Sequence, residues 1–244
     1  MQPAIRNRLL EVNREFYQRL ARPFAATRPR PQPGVERLLE RIGLTARVLD
    51  VGCGHGLVAE RLQLRGFHGT YVGLDSSRPL IELARGRVTA QWATFAVGDL
   101  AQGDWPQSAV AVAHDWVLAF AVLHHIPGAA ARADLARRLG SVLRDGGQAA
   151  VSVWDFAGNE RFRERLLDWE TIGLRSAEVE PGDFLVDWRE GGRGVRYVHH
   201  FSSEELADLA QAAGLAVAEE FRSDGEGGRL GLYQLWESQQ TSAA

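Results

Sequence analysis

The chain has 244 residues, of which 45% are hydrophobic and 24% charged, and these ordinary values exclude a disordered or fibrous protein. A chain of this length forms one large domain or one domain with a cap. The single cysteine, Cys53, excludes an internal disulfide, and we expect no metal site. No segment has the roughly 20 apolar residues of a membrane span, and the charged N-terminal region does not resemble a signal peptide, so we expect a cytoplasmic protein that does not enter a membrane.

All 28 basic residues are arginine, which is typical of GC-rich coding, with selection for anion recognition as the alternative explanation. Residues 1–47 contain ten Arg and four Glu, which give a local charge of +6. Because the net charge of the chain is −3, the remaining residues carry a charge of −9. A basic front on an acidic body suits an anionic substrate, although a solvated helix face has the same pattern. The isoelectric point near 6.2 argues against broad, sequence-independent binding of nucleic acid.

The N-terminal region is predicted to form a cap of residues 1–34. Its apolar residues Leu9, Val12, Phe16 and Leu20 recur at helical spacing, and the proline-rich run RPRPQPG at 28–34 interrupts any helix. A main domain is predicted over residues 35–238, beginning with a helix at 35–42. We expect residues 239–244 to be frayed.

Strands and helices alternate after residue 46, which predicts an α/β fold: a seven-stranded, mostly parallel Rossmann-like sheet with helices on both faces and an antiparallel edge hairpin. The predicted strands are 47–51, 71–75, 94–97, 115–119, 148–153, 216–221 and 230–235. The predicted helices are 57–65, 78–87, 129–143, 159–172 and 203–213. Residues 173–200 show no clear periodicity, so we expect them to form a lid or substrate loop.

The segment VLDVGCGHG at 48–56 carries the clearest chemical signal. Asp50 ends an apolar strand, and Gly52, Gly54 and Gly56 precede a helix that begins at Leu57. Glycines allow a ligand to approach the backbone closely, and the helix start offers free N–H groups to an anion. The spacing GxGxG differs from the GxGxxG of dinucleotide sites, so we exclude a nicotinamide dehydrogenase. A tight strand-to-helix turn without a ligand is the structural alternative.

This segment resembles motif I of class I methyltransferases, and YVGLD (71–75), VGDL (97–100) and AVLHHIP (121–127) follow in that family's order. The resemblance implies S-adenosylmethionine as cofactor, with Asp75 binding the ribose hydroxyls and Asp99 receiving the adenine amino group. The cofactor-binding residues that it implies are Asp50, Gly52, Cys53, Gly54, Gly56, Asp75, Ser76, Asp99, Leu100 and Ala121.

Two further segments resemble the tRNA wobble-uridine methyltransferases, which esterify a carboxymethyl group on the anticodon base. These segments are NREFYQRLARPFAATRPRPQPGV (13–35) and GDFLVDW (182–188) with RYVHHF (196–201). Gln32, Asp187 and Val198 depart from that family's Trp, Pro and Tyr. The resemblance implies an anionic acceptor, possible binding of tRNA and a possible small activator subunit.

The predicted acceptor site contains two arginines, Arg28 and Arg196, which would orient the acceptor or the methionine carboxylate. Its other predicted members are Tyr17, His124, His199 and Trp188. Trp188 would stack on a base, and His124 would be the base if the acceptor had to lose a proton. A small-molecule biosynthetic methyltransferase and a non-catalytic, cofactor-binding activator subunit are the alternative functions.

Overall fold

The computed structural model describes residues 1–102, 105–156 and 158–238, so the predicted frayed tail lies outside the described residues. The α-helices are α1 (Pro3–Arg19), α2 (Ala21–Ala26), α3 (Pro33–Leu39), α4 (Leu57–Leu64), α5 (Arg78–Arg87), α6 (Gln107–Val110), α7 (Ala129–Ser141), α8 (Glu160–Arg163) and α9 (Ser203–Ala212). The strands are β1 (Arg47–Val51), β2 (Thr70–Asp75), β3 (Ala93–Val97), β4 (His114–Phe120), β5 (Leu143–Trp154), β6 (Leu166–Leu167), β7 (Asp183–Trp188), β8 (Gly194–His199), β9 (Leu215–Ser223) and β10 (Gly231–Ser238).

The main sheet has seven strands in the order β3-β2-β1-β4-β5-β10-β9. Its first five strands are parallel, and β10 runs antiparallel to both β5 and β9. Helices cover both faces of the sheet, and a separate cluster of buried apolar side chains lies on each side of it. The predicted fold class is confirmed, and each of the seven predicted strands overlaps an observed one.

The strand order reverses between β1 and β4, which are direct neighbours in the sheet. In open α/β sheets this reversal opens a crevice at the carboxyl ends of the strands, where ligands bind. The glycine loop follows β1, and the segment AVLHHIP follows β4. The fold therefore brings the two strongest sequence motifs to the same edge.

The region 159–200 differs from its prediction. The helix predicted at 159–172 is wrong: α8 is followed by β6 and by a 3₁₀ turn at Trp169–Ile172. Leu166 and Leu167 lie within the predicted helix, but they pair with Val186 and Leu185 of β7 instead. Residues 173–200, predicted to be a loop without regular structure, contain the antiparallel pair β7 and β8, which completes a small sheet in the order β6-β7-β8.

Helix α1 packs against this small sheet through a buried asparagine. The Asn13 Nδ2 group donates to the carbonyls of His125 (3.2 Å) and Tyr197 (3.1 Å), and its Oδ1 accepts from the Tyr197 backbone N–H (2.8 Å). Asn13 thus joins the cap, β8 and the segment after β4. Within the described residues, no helix is long and apolar enough to cross a membrane.

We expect Asn13→Ala to lower the free energy of unfolding by about 2 to 3 kcal/mol, because it leaves the buried Tyr197 N–H without a partner. Gln18→Ala, at an exposed position of the same helix, serves as the control and should change stability by less than about 0.5 kcal/mol. Urea unfolding followed by tryptophan fluorescence measures both. Equal stabilities for the two variants would contradict the role given to Asn13.

Candidate active site

A cavity of about 530 Å³ lies at the carboxyl edge of the main sheet, between the loops after β1, β2 and β4 and the α1–α2 region. All but three of the predicted site residues line this cavity. Those that line it are Tyr17, Arg28, Asp50, Gly52, Cys53, Gly54, Asp75, Ser76, Asp99, Leu100, Ala121, Trp188 and Arg196. The cavity lining does not include Gly56, His124 and His199.

The glycine loop turns sharply through left-handed backbone conformations. Gly52, Gly54 and Gly56 have φ angles of +79°, +55° and +82°. A Cβ on Gly52 would overlap the Val122 side chain, whereas one on Gly54 would meet no protein atom within 4 Å. Gly54 therefore presents bare backbone to the cavity. Gly56 instead contacts Ala84 and allows α4 to begin close to α5.

Asp75 is held by backbone N–H groups from two loops. Its Oδ2 accepts from Gly54 (2.9 Å), and its Oδ1 accepts from Ser77 (2.8 Å). Burial raises the pKa of this carboxyl to about 6, and the two backbone hydrogen bonds oppose the rise. Each oxygen retains acceptor capacity, so the carboxylate fits a pair of ribose hydroxyls.

Asp50 lies beneath the glycine loop and is almost fully buried. It accepts a hydrogen bond of 2.5 Å from the Tyr71 hydroxyl. Burial raises its pKa to about 7, and the Tyr71 hydrogen bond opposes the rise. A buried carboxyl with one partner suits a cationic ligand group, which would supply the missing countercharge.

The loops after β3 and β4 form another part of the wall. The Asp99 Oδ1 accepts from the backbone N–H groups of Ala101 (3.0 Å) and Gln102 (3.1 Å), and its Oδ2 lies 3.6 Å from an Arg14 nitrogen. Leu100 adds an apolar surface. Ala121 has a φ of +57°. This conformation is strained for any residue other than glycine, and such strained residues cluster at functional sites.

The opposite end of the cavity contains a buried arginine. Arg196 is only 3% exposed, and its guanidinium carbon lies 4.9 to 5.0 Å from the ring centres of Phe16, Trp154 and Trp188. Its Nε and Nη1 atoms have no hydrogen-bond partner, and no ion pair with a carboxylate forms within the part of the chain that the structure describes. Burial lowers the pKa of this guanidinium.

A second guanidinium lies beside the same tryptophan. The Arg28 guanidinium carbon is 3.9 Å from the centre of the Phe24 ring and 5.5 Å from that of Trp188. Burial lowers the pKa of Arg28 to about 10, which leaves it charged at neutral pH. This end of the cavity therefore contains two neighbouring positive charges.

Tyr17 is hydrogen-bonded to Arg196 and to a histidine that sequence reasoning did not select. His125 Nδ1 lies 3.0 Å from the Tyr197 carbonyl, which can only accept, so this nitrogen carries the proton. Burial and the charge of Arg196 lower the His125 pKa to about 3, and its Nε2 accepts from the Tyr17 hydroxyl at 2.9 Å. The pair HH at 124–125 was the available signal, but the sequence could not tell which ring faces the cavity.

His124, the predicted base, lies behind the cavity wall. It has no exposed surface, and its Nδ1 accepts from the Trp154 backbone N–H at 3.3 Å. Burial lowers its pKa well below the usual histidine value. Its lone pair is already used, so the structure does not support the role of a base for His124.

His199 also lies away from the cavity, contrary to the prediction. Its Nδ1 and Nε2 atoms contact the carboxylates of Asp183 (2.7 Å) and Glu205 (2.9 Å). These two hydrogen bonds raise its pKa against the lowering effect of burial. Arg132 pairs with Glu205 and Glu180 in the same network. His199 therefore joins β7, β8 and α9 and does not contact the substrate region.

Comparison with known families shows to which class of protein the chain belongs. The sequence profile of a methyltransferase domain matches residues 17–220. The chain belongs to this family. It is an enzyme of the S-adenosylmethionine-dependent type, and solved structures with the same fold hold this cofactor or its demethylated product.

Two curated relatives and one solved structure illustrate the similarity. A Schizosaccharomyces pombe tRNA (carboxymethyluridine(34)-5-O)-methyltransferase is 24% identical over 230 residues, covering 86% of this chain and 90% of the relative. The mouse protein of the same name is 29% identical over 172 residues, covering 69% of this chain but only 23% of the mouse protein. A Haloferax volcanii methyltransferase solved with the Trm112 methyltransferase activator has a TM-score of 0.64 at 17% identity, covering 95% of this chain and 99% of that one.

The residues of this methyltransferase fit its cofactor. Bare backbone at Gly54 leaves room for a ligand, and the paired acceptors of Asp75 match ribose hydroxyls. Asp50 offers a negative charge to a cationic group, and Asp99 lies at the wall formed after β3. The cofactor residues predicted from sequence thus lie together along one side of the cavity, with Gly56 just behind it.

We expect Gly54→Ala to weaken S-adenosylmethionine binding at least tenfold, because the new methyl group would project into the cofactor cavity. Gly66→Ala is the matched control: Gly66 also has a positive φ (+80°) and an empty Cβ position, but it lies away from the cavity. Both changes should lower stability by about 1 kcal/mol through the left-handed backbone. Titration calorimetry measures affinity, and equal affinities for the two variants would contradict this placement of the cofactor.

We expect Asp50→Asn to increase the stability of the cofactor-free enzyme at neutral pH while weakening cofactor binding. The pKa of Asp50 is about 7 in the folded state and about 4 in an unfolded chain, so folded molecules bind more protons between these values and stability falls as pH rises through that window. The substitution removes this dependence of the free energy of unfolding on pH, which amounts to about 1 kcal/mol per pH unit. Urea unfolding from pH 4.5 to 8 tests it, and a stability difference that stays constant with pH would contradict it.

Proposed function

We propose that this methyltransferase transfers a methyl group to a carboxylate, and that the acceptor is a carboxymethyl group on a tRNA base. The observation that carries the proposal is the Arg196 guanidinium, which is buried among aromatic rings and has no carboxylate partner among the described residues. An unpaired buried charge is costly, and an anionic ligand would supply the missing countercharge and accept hydrogen bonds from the free nitrogens.

The two histidines of the loop after β4 support an acceptor that is already ionised. His125 uses one nitrogen as a donor to Tyr197 and the other as an acceptor from Tyr17. His124 accepts from Trp154 and faces away from the cavity. Neither ring offers a free lone pair, so neither could remove a proton from a hydroxyl acceptor. A carboxylate is ionised at neutral pH and needs no base.

S-adenosylmethionine supplies an electrophilic methyl group on a positively charged sulfur. The contribution of the chain is orientation: Arg196 binds the acceptor carboxylate, Tyr17 borders the same space, and the aromatic rings exclude water. Correct alignment of two reactants contributes about 7 to 11 kcal/mol to lowering a barrier. Arg28 is placed to bind a second anionic group, either on the acceptor or on the cofactor's methionine part.

The two relatives described above are named for methylation of tRNA carboxymethyluridine, which favours this acceptor. The Haloferax volcanii structure contains an activator, so we propose that a small activator subunit also assists this enzyme. Assays of tRNA methylation should therefore be made with and without a candidate activator.

A small carboxylic acid is the second candidate acceptor. Trp188 is only 3% exposed and packs edge-on against Phe16 at 5.5 Å between ring centres, so little of its ring is free to stack on a base. The α1–α2 region also covers the cavity, which suits a compact acceptor.

We expect Arg196→Gln to lower kcat/KM for the carboxylate acceptor at least a hundredfold, equivalent to about 3 kcal/mol, because a charged hydrogen-bond pair is lost. Cofactor affinity should change less than threefold. Arg165→Gln is the control: this arginine also lines the cavity, but its side chain is 43% exposed and lies 3.8 Å from Glu190. Transfer of labelled methyl to tRNA that carries carboxymethyluridine is the readout.

The same assay separates the candidate acceptors. Ester formation on the tRNA supports the proposal, whereas methylation confined to small carboxylic acids would favour the second candidate. Unchanged turnover in Arg196→Gln would overturn the carboxylate assignment for either acceptor.

A further inference from the structure

The three loops that bind the cofactor also hold the N-terminal cap. After β2, the Ser77 hydroxyl donates to the carbonyl of Tyr17 at 2.9 Å. After β3, the Ala101 carbonyl accepts from the Arg6 guanidinium at 3.0 Å. After β1, the His55 Nε2 atom lies 3.2 Å from the carbonyl of Arg28. The cap is thus attached to the same loops that must order around the cofactor.

The contact from His55 differs from the other two, because it reaches a segment that has few hydrogen bonds of its own. Helix α2 ends at Ala26, and residues 29–33 contain three prolines, which have no backbone N–H to donate. Arg28 precedes Pro29, so its backbone is restricted to extended or turn conformations outside the helix. Among the described residues, His55 is the hydrogen-bond partner of the Arg28 carbonyl.

The chemistry of this contact fixes the state of the His55 ring. A carbonyl can only accept, so Nε2 carries the proton and donates it. His55 is 3% exposed, and burial lowers its pKa to about 4, so the ring is neutral at pH 7. His55 also lies between Gly54 and Gly56, whose left-handed conformations set the direction of its side chain.

We propose that His55 is a positioning residue that couples the cofactor loop to Arg28, so that an ordered cofactor loop completes the acceptor site. The Arg28 side chain lies over Phe24 beside Trp188, and its backbone carbonyl is held by His55 of the glycine loop. Cofactor and acceptor therefore bind cooperatively, and loss of the His55 contact removes the cooperativity without removing either binding surface.

This inference rests on the proposed function only where acceptor kinetics are measured, so the primary test needs no acceptor. Hydrogen–deuterium exchange is followed over residues 24–32 with and without saturating S-adenosylhomocysteine. In the parent enzyme we expect the ligand to slow exchange in this segment at least fivefold. In His55→Ala the segment should exchange at the same rate with and without ligand, although the ligand still binds.

Two further variants distinguish positioning from general packing. The Gln side chain places an amide N–H where His Nε2–H lies, whereas Asn is one methylene shorter. His55→Gln should restore the ligand-dependent protection, and His55→Asn should not. His68→Ala is the control, because His68 is an exposed histidine whose ring nitrogen hydrogen-bonds to the nearby carbonyl of Gly66.

Kinetics provide a second readout. We expect His55→Ala to raise the KM for the acceptor about tenfold, as loss of one hydrogen bond would, with kcat changed less than threefold. If the parent enzyme does not methylate the proposed acceptor, the proposed function fails while the exchange experiment still decides the role of His55. Protection by ligand that persists in His55→Ala, or equal behaviour of the Gln and Asn variants, would overturn the inference.

Discussion

The organisation of the acceptor end follows from the burial of the Arg196 guanidinium without a carboxylate partner. Aromatic rings on three sides stabilise the cation through their π faces, but they cannot accept its in-plane N–H groups. Those N–H donors need an anionic acceptor, which the described part of the chain does not supply. Such sites lower the stability of the free protein and gain it back when the ligand binds.

The cofactor end shows the same relation with opposite charge. Asp50 is buried and Asp75 is half-buried, and burial raises the pKa of Asp50 to about 7 and that of Asp75 to about 6. Asp50 and Asp75 therefore lie at one end of the cavity, and the guanidinium groups of Arg28 and Arg196 lie at the other. This polarity suits a reaction that brings a cationic methyl donor and an anionic acceptor together, because each reactant finds opposite charge where it binds.

The sequence was sufficient to predict features that depend on local pattern. Glycine spacing in the loop after β1, an acid at the end of β2 and the alternation of strands and helices identified the fold and the cofactor side of the cavity. Features that depend on long-range packing were not predictable. Leu166 and Leu167 lie within a predicted helix but pair with β7. The small sheet β6-β7-β8 depends on pairing between segments that are separated along the chain.

The roles of the histidines show the same difference between features that depend on local pattern and features that depend on long-range packing. His124, His125 and His199 all lie in motifs that resemble a substrate site, yet of these three only His125 borders the cavity. The short 3₁₀ turn at Leu123–His125 directs the rings of His124 and His125 to different sides. His199 is diverted into an ion network with Asp183 and Glu205, whose closeness to each other no local pattern reveals. His55 was overlooked because its partner, Arg28, is 27 residues away along the chain.

The most direct test of the central claim compares two ligands that differ in charge but hardly in shape. Calorimetric titration of 5-carboxymethyluridine and of its neutral amide into the enzyme saturated with S-adenosylhomocysteine measures the preference of the acceptor site for an anion. If Arg196 binds a carboxylate, the acid should bind at least a hundredfold more tightly than the amide, and Arg196→Gln should abolish the difference. Equal binding of acid and amide to the parent enzyme would contradict the account.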